Sequence, residues 1–410
     1  MAEPKVRFKK DDGGSYPERN DYTTETVLDT ITDYVAAGSF ADIAAHVQYQ
    51  SEGYAQLVRT VDLKNHFTSK EEIFVSEEAF NYLWRVNLDK ECIVLPNVGN
   101  CGEVYYVTPS ILPYEHNALA PNAIVVRSEE WNNRFIAYLM ESKGFQEQLK
   151  LIVSPSGQTK FNKTEFKRLI LSLPCLEEQQ KIADFLSSVD EVISTSEQEV
   201  ANLETQKRAV MKKIFSQEVR FKRNDGSDFP EWEYIPFEEI ASLMTASIDP
   251  SKSGTMHCVE LEHLEQGSGQ RLGFVEAENQ SSNKRLFETG DVLFGKLRPY
   301  LRKYWLATEE GCCSTEIWVL RPLSGVMSEY LLTIVSSDDF ISVANTSEGT
   351  KMPRASWDLV ANAEFPVPSF EEQRLIADFL SDFDEAIAAA KKELELWKEL
   401  KKGLLQQMFV

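Results

Sequence analysis

Hydrophobic and polar positions along this chain follow two rhythms. Between residues 23 and 172, and again between 235 and 367, short apolar runs recur: ECIVL, GEVYYV and NAIVV in the first region, GDVLF, RKYWLA and TEIWVL in the second. Such runs, bounded by turn residues, predict short strands. Each series is followed by a helical stretch, RFIAYLMESKGFQEQL and SEYLLTIVSSDDFISVA. No strand–helix–strand alternation is visible, so each region reads as a mixed α/β body with a mostly antiparallel or mixed sheet.

The second rhythm is helical and occurs twice. Ile182, Leu186, Val189, Ile193, Ser196, Val200, Leu203, Lys207, Val210 and Ile214 are spaced by alternating steps of four and three. Ile376, Leu380, Phe383, Ile387, Ala390, Leu394, Trp397, Lys401, Leu404 and Met408 repeat that spacing. Alternating steps put a narrow apolar seam on one side of a helix, as in a coiled coil. A helix of about 39 residues is roughly 58 Å long at 1.5 Å per residue. Neither seam can be left in water, so the two helices are expected to pack on each other. A lysine occupies the same seam position in both, a placement that fixes register.

The helices are copies. Leu176–Ser216 aligns without a gap on Phe370–Val410 at an offset of 194, with 15 of 41 pairs identical, among them Glu177/Glu371, Gln179/Gln373, Phe185/Phe379, Asp190/Asp384 and Lys207/Lys401. A shorter repeat flanks them. VRFKKDDGGSYPE (6–18) and VRFKRNDGSDFPE (219–231) share eight of 13 residues at an offset of 213, so the first intervening stretch is 19 residues longer than the second. Its Asn, Asp, Gly and Pro content marks a turn between domains. The first long helix runs directly into VRFK. The second has its matching VRFK at the other end of the chain, which implies a circular, pseudo-two-fold organisation with neighbouring termini. The expected layout is a first domain at 1–174, a spacer helix at 175–217, a second domain at 218–369 and a second spacer helix at 370–410.

The formal net charge is −22, which argues against non-specific coating of nucleic acid. Basic residues nevertheless concentrate in loops. Residues 281–303 hold six basic and two acidic residues, 157–168 hold four and one, and GTKMPR (349–354) holds two and none. The last two stretches occupy equivalent places before a long helix. Glycine beside lysine and threonine suits close approach to phosphate. GDVLFGKL (290–297) has the glycines and lysine of a phosphate-binding loop, but it lacks the Mg²⁺-binding hydroxyl residue, and Pro299 blocks the helix that must follow. Cys92, Cys101, Cys175, Cys258, Cys312 and Cys313 form no CxxC pair and read as buried reduced thiols. His257, Cys258 and His263 match no metal spacing. Glu177 and Glu178 read as surface charge on a solvated helix. No apolar run approaches a membrane span and no signal segment opens the chain, which leads us to expect a cytoplasmic protein.

LPCLEEQQKIADFLSSVDE (173–191), PVPSFEEQRLIADFLSDFDE (366–385), VRFKRNDGSDFPEWE (219–233), GDVLFGKLRPYLRK (290–303) and GTKMPRASWDLV (349–360) together resemble the specificity subunit of type I restriction-modification systems, over essentially the whole chain. The resemblance implies an α/β (α+β) architecture: two mixed α/β target recognition domains separated by two long antiparallel coiled-coil helices. It implies a non-catalytic subunit that reads an asymmetric two-part double-stranded DNA target, one half per domain. Two DNA methyltransferase (modification) subunits would dock on the spacer helices, and restriction/translocase subunits would complete the complex. S-adenosylmethionine, ATP and Mg²⁺ would lie on those partners, with no cofactor or metal on this chain. The helix seam would be carried by Ile182, Leu186, Ile193, Leu203, Ile376, Leu380, Ile387 and Trp397.

Two departures stand out. Arg19 replaces Trp232 in the boundary motif, and GKLRPYLRK has no clean counterpart in the first domain, where VLPNVGNCGEVYYV stands instead. Phosphate contacts position a protein on DNA and base-edge contacts specify sequence. Lys296, Arg298, Lys351 and Arg354 are the candidates in the second domain, and Lys160, Lys163, Arg59 and Lys64 in the first. The acidic total implies weak DNA binding by this chain without its partners. Two other classes remain open at this point. One is an interaction scaffold or DNA mimic on the same frame, which the negative charge favours and the basic loops oppose. The other is a self-contained nuclease, which needs a carboxylate or metal cluster that the sequence does not offer.

Overall fold

A computed structural model describes residues 4–69, 71–154, 157–250, 255–346 and 352–409. The chain folds into two compact units, Met1–Thr195 with Leu394–Val410, and Ser196–Glu393. The two long helices span Leu176–Phe215 and Phe370–Met408. Each opens with two glutamates in its first turn, where acidic side chains complement the helix dipole. Each unit therefore takes one half of each helix.

In the first unit, a four-stranded antiparallel sheet runs in the order Thr30–Asp33, Ala123–Arg127, Cys92–Pro96, Tyr105–Val107. A three-stranded sheet, Phe74–Val75, Ala55–Val58, Asn117–Leu119, contains one parallel pair. In the second unit the four-stranded order is Ala241–Met244, Ile317–Pro322, Val292–Gly295, Tyr304–Leu306. The companion sheet there has five strands, again with one parallel pair. The two units repeat a topology that their sequences do not advertise. In each, an antiparallel pair ties the start of the domain to its end, Asn20–Thr23 with Ile170–Leu173 and Glu233–Pro236 with Glu364–Val367. Both helical stretches break at a serine. Ser142 and Ser337 each cap the helix that follows, accepting from Phe145 and Phe340 N–H.

The helices pair within each unit. In the first, Ile182 and Leu186 share a core with Met408, Phe409 and the sheet residues Ile93, Leu95, Ile124 and Val126. In the second, Met211, Ile214 and Phe215 share one with Ile376, Leu380, Val292, Phe294 and Leu320. Lys401 Nζ lies 2.9 Å from Asp190, and Lys207 Nζ 2.5 Å from Asp384. These pairs run antiparallel and are images of each other under the 194-residue offset. Every seam position named above is buried or half-buried. The seam lysines thus pair with aspartates one helix away, and Lys401 is held as well by Glu141 at 3.0 Å, which makes a charged seam position tolerable.

The boundary motif closes onto the helix through a buried carboxylate. Glu178 is fully buried, and Arg7 grips it with Nε at 3.0 Å and Nη2 at 2.6 Å. Glu372 is fully buried, and Arg220 grips it at 3.2 and 2.9 Å. The same Nη2 atoms reach the carbonyls of Pro17 and Pro230, at 2.6 and 2.7 Å. Phe8 meets Phe185 edge-on, as Phe221 meets Phe379. The surface-charge expectation is therefore wrong for Glu178: its carboxylate is sealed under the arginine of a motif 171 residues away. The Arg19/Trp232 difference falls on this same clamp. Trp232 Nε1 donates to Glu372 at 2.9 Å, while Arg19 brings a second guanidinium to 3.7 Å from Glu178. Burial pushes the Arg19 guanidinium pKa down, against the pull of Glu178. Next along each helix, Gln179 and Gln373 donate to the carbonyls of Pro174 and Pro368 and accept from Asn132 and Met327 N–H.

The circular closure is visible in the first unit. Val6 N–H donates to Gln407 O at 3.1 Å, which sets the N-terminal motif on the last turn of the second helix. Val219 N–H makes the matching bond to Lys213 O, 3.2 Å, where the chain is continuous. Four cysteines are buried, but Cys101 and Cys175 are only half-buried, so the expectation of buried thiols fails for those two. Among the described residues no helix is long and apolar enough to cross a membrane, and no group of three or more His, Cys, Asp or Glu is arranged to hold a metal ion.

Removing one partner of a buried ion pair leaves an unmatched charge, at a cost of about 3–5 kcal/mol. Glu372→Ala should lower the urea unfolding free energy of the second unit by about that amount; a loss similar to that of an exposed-site control would contradict the clamp. Lys207→Asp and Asp384→Lys should each destabilise by roughly 1 kcal/mol. The double exchange should restore stability, and additive losses would contradict the pairing.

Candidate nucleic-acid interface

Three separate stretches meet at the end of the four-stranded sheet of the second unit. The strand Val292–Gly295 leads into Lys296, Leu297 and Arg298. Lys296 N–H donates to Glu316 O at 2.9 Å, Ala355 N–H donates to Lys296 O at 2.8 Å, and Arg298 N–H donates to Pro353 O at 2.8 Å. Leu297 and Arg354 form an antiparallel bridge. The two basic loops singled out in the sequence are thus one structural feature.

Of the six basic residues in 281–303, four are committed internally. Lys284 is buried against Glu260 at 2.5 Å. Arg285 donates to Thr245 O, Arg302 to Asp338 and Ser336 O, and Lys303 to the carbonyls of Leu261 and Leu264. Lys296 and Arg298 have no side-chain partner among the described residues. Arg354 is half exposed, and its Nε donates to Glu316 Oε2 at 3.0 Å. Tyr300 is exposed on the same loop. Lys351 lies outside the described residues.

The first unit builds the same feature from different residues. Asn97 N–H donates to Asn122 O at 3.0 Å, Phe161 N–H to Asn97 O at 3.1 Å, and Gly99 N–H to Thr159 O at 2.8 Å. Val98 and Lys160 form the matching bridge. So the first domain does have a counterpart of GKLR: it is NVG, residues 97–99, which carries the backbone pattern without the charge. Lys160 is exposed with no side-chain partner among the described residues. The other first-domain candidates are placed differently. Arg59 is locked to Asp62 by Nε at 2.9 Å and Nη2 at 2.6 Å. That hydrogen bond, opposed by burial, raises the Arg59 pKa further. Lys163 is held 2.7 Å from Asp33. Lys64 is exposed and paired to Glu103 at 2.5 Å. Burial acts to raise Glu103, but the bonds from Lys64 and Tyr105 outweigh it and hold the carboxyl below its ordinary value.

The structure brings Lys296, Arg298 and Arg354 together at one tip and leaves Lys160 alone at the other. Sequence reasoning passed over Asn97, Gly99, Asn122 and Glu316. A signal for two of them existed. Asn122 and Glu316 are 194 residues apart, as are Lys160 and Arg354, the offset that relates the long helices. The strand-end loops, Gly99 and Arg298, are 199 apart and fall out of that alignment.

His257 pairs with Glu309 at 2.9 Å, and His263 Nδ1 accepts from Glu260 N–H at 3.0 Å, so the histidines near Cys258 are engaged separately.

Known proteins match this chain along most of its length. The profile of the family described as the type I restriction modification DNA specificity domain matches residues 39–205 and again 231–396. The specificity subunit of the type I restriction enzyme MjaVIII of Methanocaldococcus jannaschii is 24% identical over 390 residues, spanning 88% of this chain and 87% of that protein. The EcoDI specificity subunit of Escherichia coli is 25% identical over 162 residues, 38% of this chain and 36% of that protein. The fold matches the crystal structure of the S subunit of a type I system from M. genitalium, with a TM-score of 0.56 at 15% identity, covering 100% of this chain and 99% of that one. A chain solved in work on complex assembly and conformational transition of the type I R-M system has a TM-score of 0.52 at 14% identity, covering 95% and 97%. With two copies of the domain over most of its length, the chain belongs to the type I restriction-modification DNA specificity family, and its part in such a system is to recognise DNA sequence rather than to catalyse.

Proposed function

We propose that this chain reads an asymmetric, two-part double-stranded DNA target, each domain contacting one half. The observation that carries the reading is the pair of tips. One backbone scaffold is built twice, yet the side chains it presents differ at every outward position. A reader of two identical halves would have no use for that difference. Contacts to phosphate fix register while base-edge contacts specify, and the free cations at each tip suit the first role as well as the second. Lys160, Lys296, Arg298 and Arg354 are the best-placed groups. Arg59, Lys64 and Lys163 contribute less, because each commits a terminal nitrogen to a carboxylate, whereas Arg354 engages Glu316 through Nε and its terminal nitrogens have no partner among the described residues.

The long helices, with their repeated clamps, would dock two methyltransferase (modification) subunits, since a surface made twice offers two equivalent seats. Restriction/translocase subunits would join that core, and the protein would work in the cytoplasm where its DNA is. S-adenosylmethionine, ATP and Mg²⁺ would be bound by the partners. A DNA mimic on the same frame is disfavoured by the tips, where Lys160, Lys296 and Arg298 have no side-chain partner among the described residues and the carboxylate of Glu316 is paired to Arg354.

Sequencing methylated DNA from cells with and without this gene tests the reading. One two-part methylated motif, with unlike halves, should disappear when the gene is deleted. An unchanged methylation pattern would overturn the proposal in favour of a scaffold.

A further inference from the structure

The two tips differ in a way that speaks to which bases they read. Three backbone positions match at the tips: Gly99 and Arg298, Asn122 and Glu316, Lys160 and Arg354. At the first, both residues are left-handed, with φ of +86° for Gly99 and +53° for Arg298. Glycine suits that conformation because it has no Cβ, whereas an arginine there carries backbone strain that glycine would relieve, and the Arg298 side chain has no partner among the described residues to offset it. At the third, Arg354 is held by one edge. Its Nε donates to Glu316 while its terminal nitrogens have no partner among the described residues. A guanidinium tethered in this way presents a preset fork of donors. Lys160 is a flexible ammonium with no such tether.

Guanine offers two adjacent acceptors, O6 and N7, in the major groove, and an arginine fork matches both. Adenine offers a donor and an acceptor, which an asparagine amide matches. Asn122 is exposed, left-handed at φ +73°, and without a side-chain partner among the described residues.

Resting on the two-half reading above, we propose that this matched set of positions separates the two half-sites. Arg354, oriented by Glu316 and flanked by Arg298, reads a guanine in the half-site of the second domain. Asn122 reads an adenine in the half-site of the first. Glu316 is a positioning residue, acting through Arg354. Lys160 and Lys296 contact phosphate.

The test is the methylated motif written by the complete complex carrying the wild-type chain, Arg354→Ala, Glu316→Gln or Asn122→Ala. Arg354→Ala should relax one guanine position in one half-site, reducing preference for it by about 10- to 100-fold, and leave the other half-site intact. Glu316→Gln should relax the same position by less, and Arg354→Lys should not rescue it. Asn122→Ala should relax an adenine in the opposite half-site. Arg298→Gly should weaken the guanine preference without lowering the melting temperature, since glycine suits that backbone. An unchanged motif in the variants would overturn the inference, as would a uniform loss of methylation by a folded variant or a wild-type motif lacking guanine in the affected half. A wild-type complex that writes no two-part motif would instead defeat the reading of function on which the inference rests.

Discussion

Two buried carboxylates govern this molecule. Glu178 and Glu372 lie at the start of the long helices with no access to water, and an ion in that position is tolerated only when paired and hydrogen-bonded. Arg7 and Arg220 supply the pairing, each from a boundary motif remote in sequence. The clamp thereby fixes where the chain enters each domain relative to the helix on which that domain ends. Gln179 and Gln373, one residue further, fix the helical stretch of the domain to the same turn. Everything beyond, including the tips, is referenced to these few bonds. The seam pairs Lys207–Asp384 and Lys401–Asp190 set the helices against each other, and the clamps set each domain against its helix.

Much of the frame was legible because its signals are local or periodic. The four-three spacing identified the helix seam, and gapless repetition identified the pair. The parts that were not legible depend on distant neighbours. Glu178 sits among polar residues on a helix, and nothing local distinguishes it from Glu177 beside it. Only the arrival of Arg7 makes it a buried ion. The tips were obscured for a related reason. Counting basic residues in 281–303 treats all six alike, yet Lys284, Arg302 and Lys303 spend their donors holding loops together. Conversely, the first tip has little charge to count, and a loop-length difference of five residues hides its match to the second.

This division of labour reconciles an acidic chain with DNA recognition. Acidic residues outnumber basic ones by 65 to 43, and many of the basic ones are consumed by internal ion pairs. A few free or tethered cations remain, and they are gathered where two loops meet at the sheet end. Such a surface is too sparse for tight non-specific binding, whose strength scales with the number of phosphates neutralised. It is well suited to discrimination, in which a small number of oriented donors decide between bases. Affinity would then come chiefly from the assembled complex and sequence choice from this chain.

The central claim is that a constant frame carries two independent readers, interchangeable because the arginine–glutamate clamps and the antiparallel strand pairs at the domain entrances are built alike. It is tested most directly by a variant in which residues 24–169 are replaced by residues 237–363, leaving the helices, clamps and entrance strands in place. Sequencing of the DNA methylated by its complex should reveal a target whose two halves are both the second half of the wild-type target. A folded variant that still writes two unlike halves, or a new motif unrelated to either, would contradict the account.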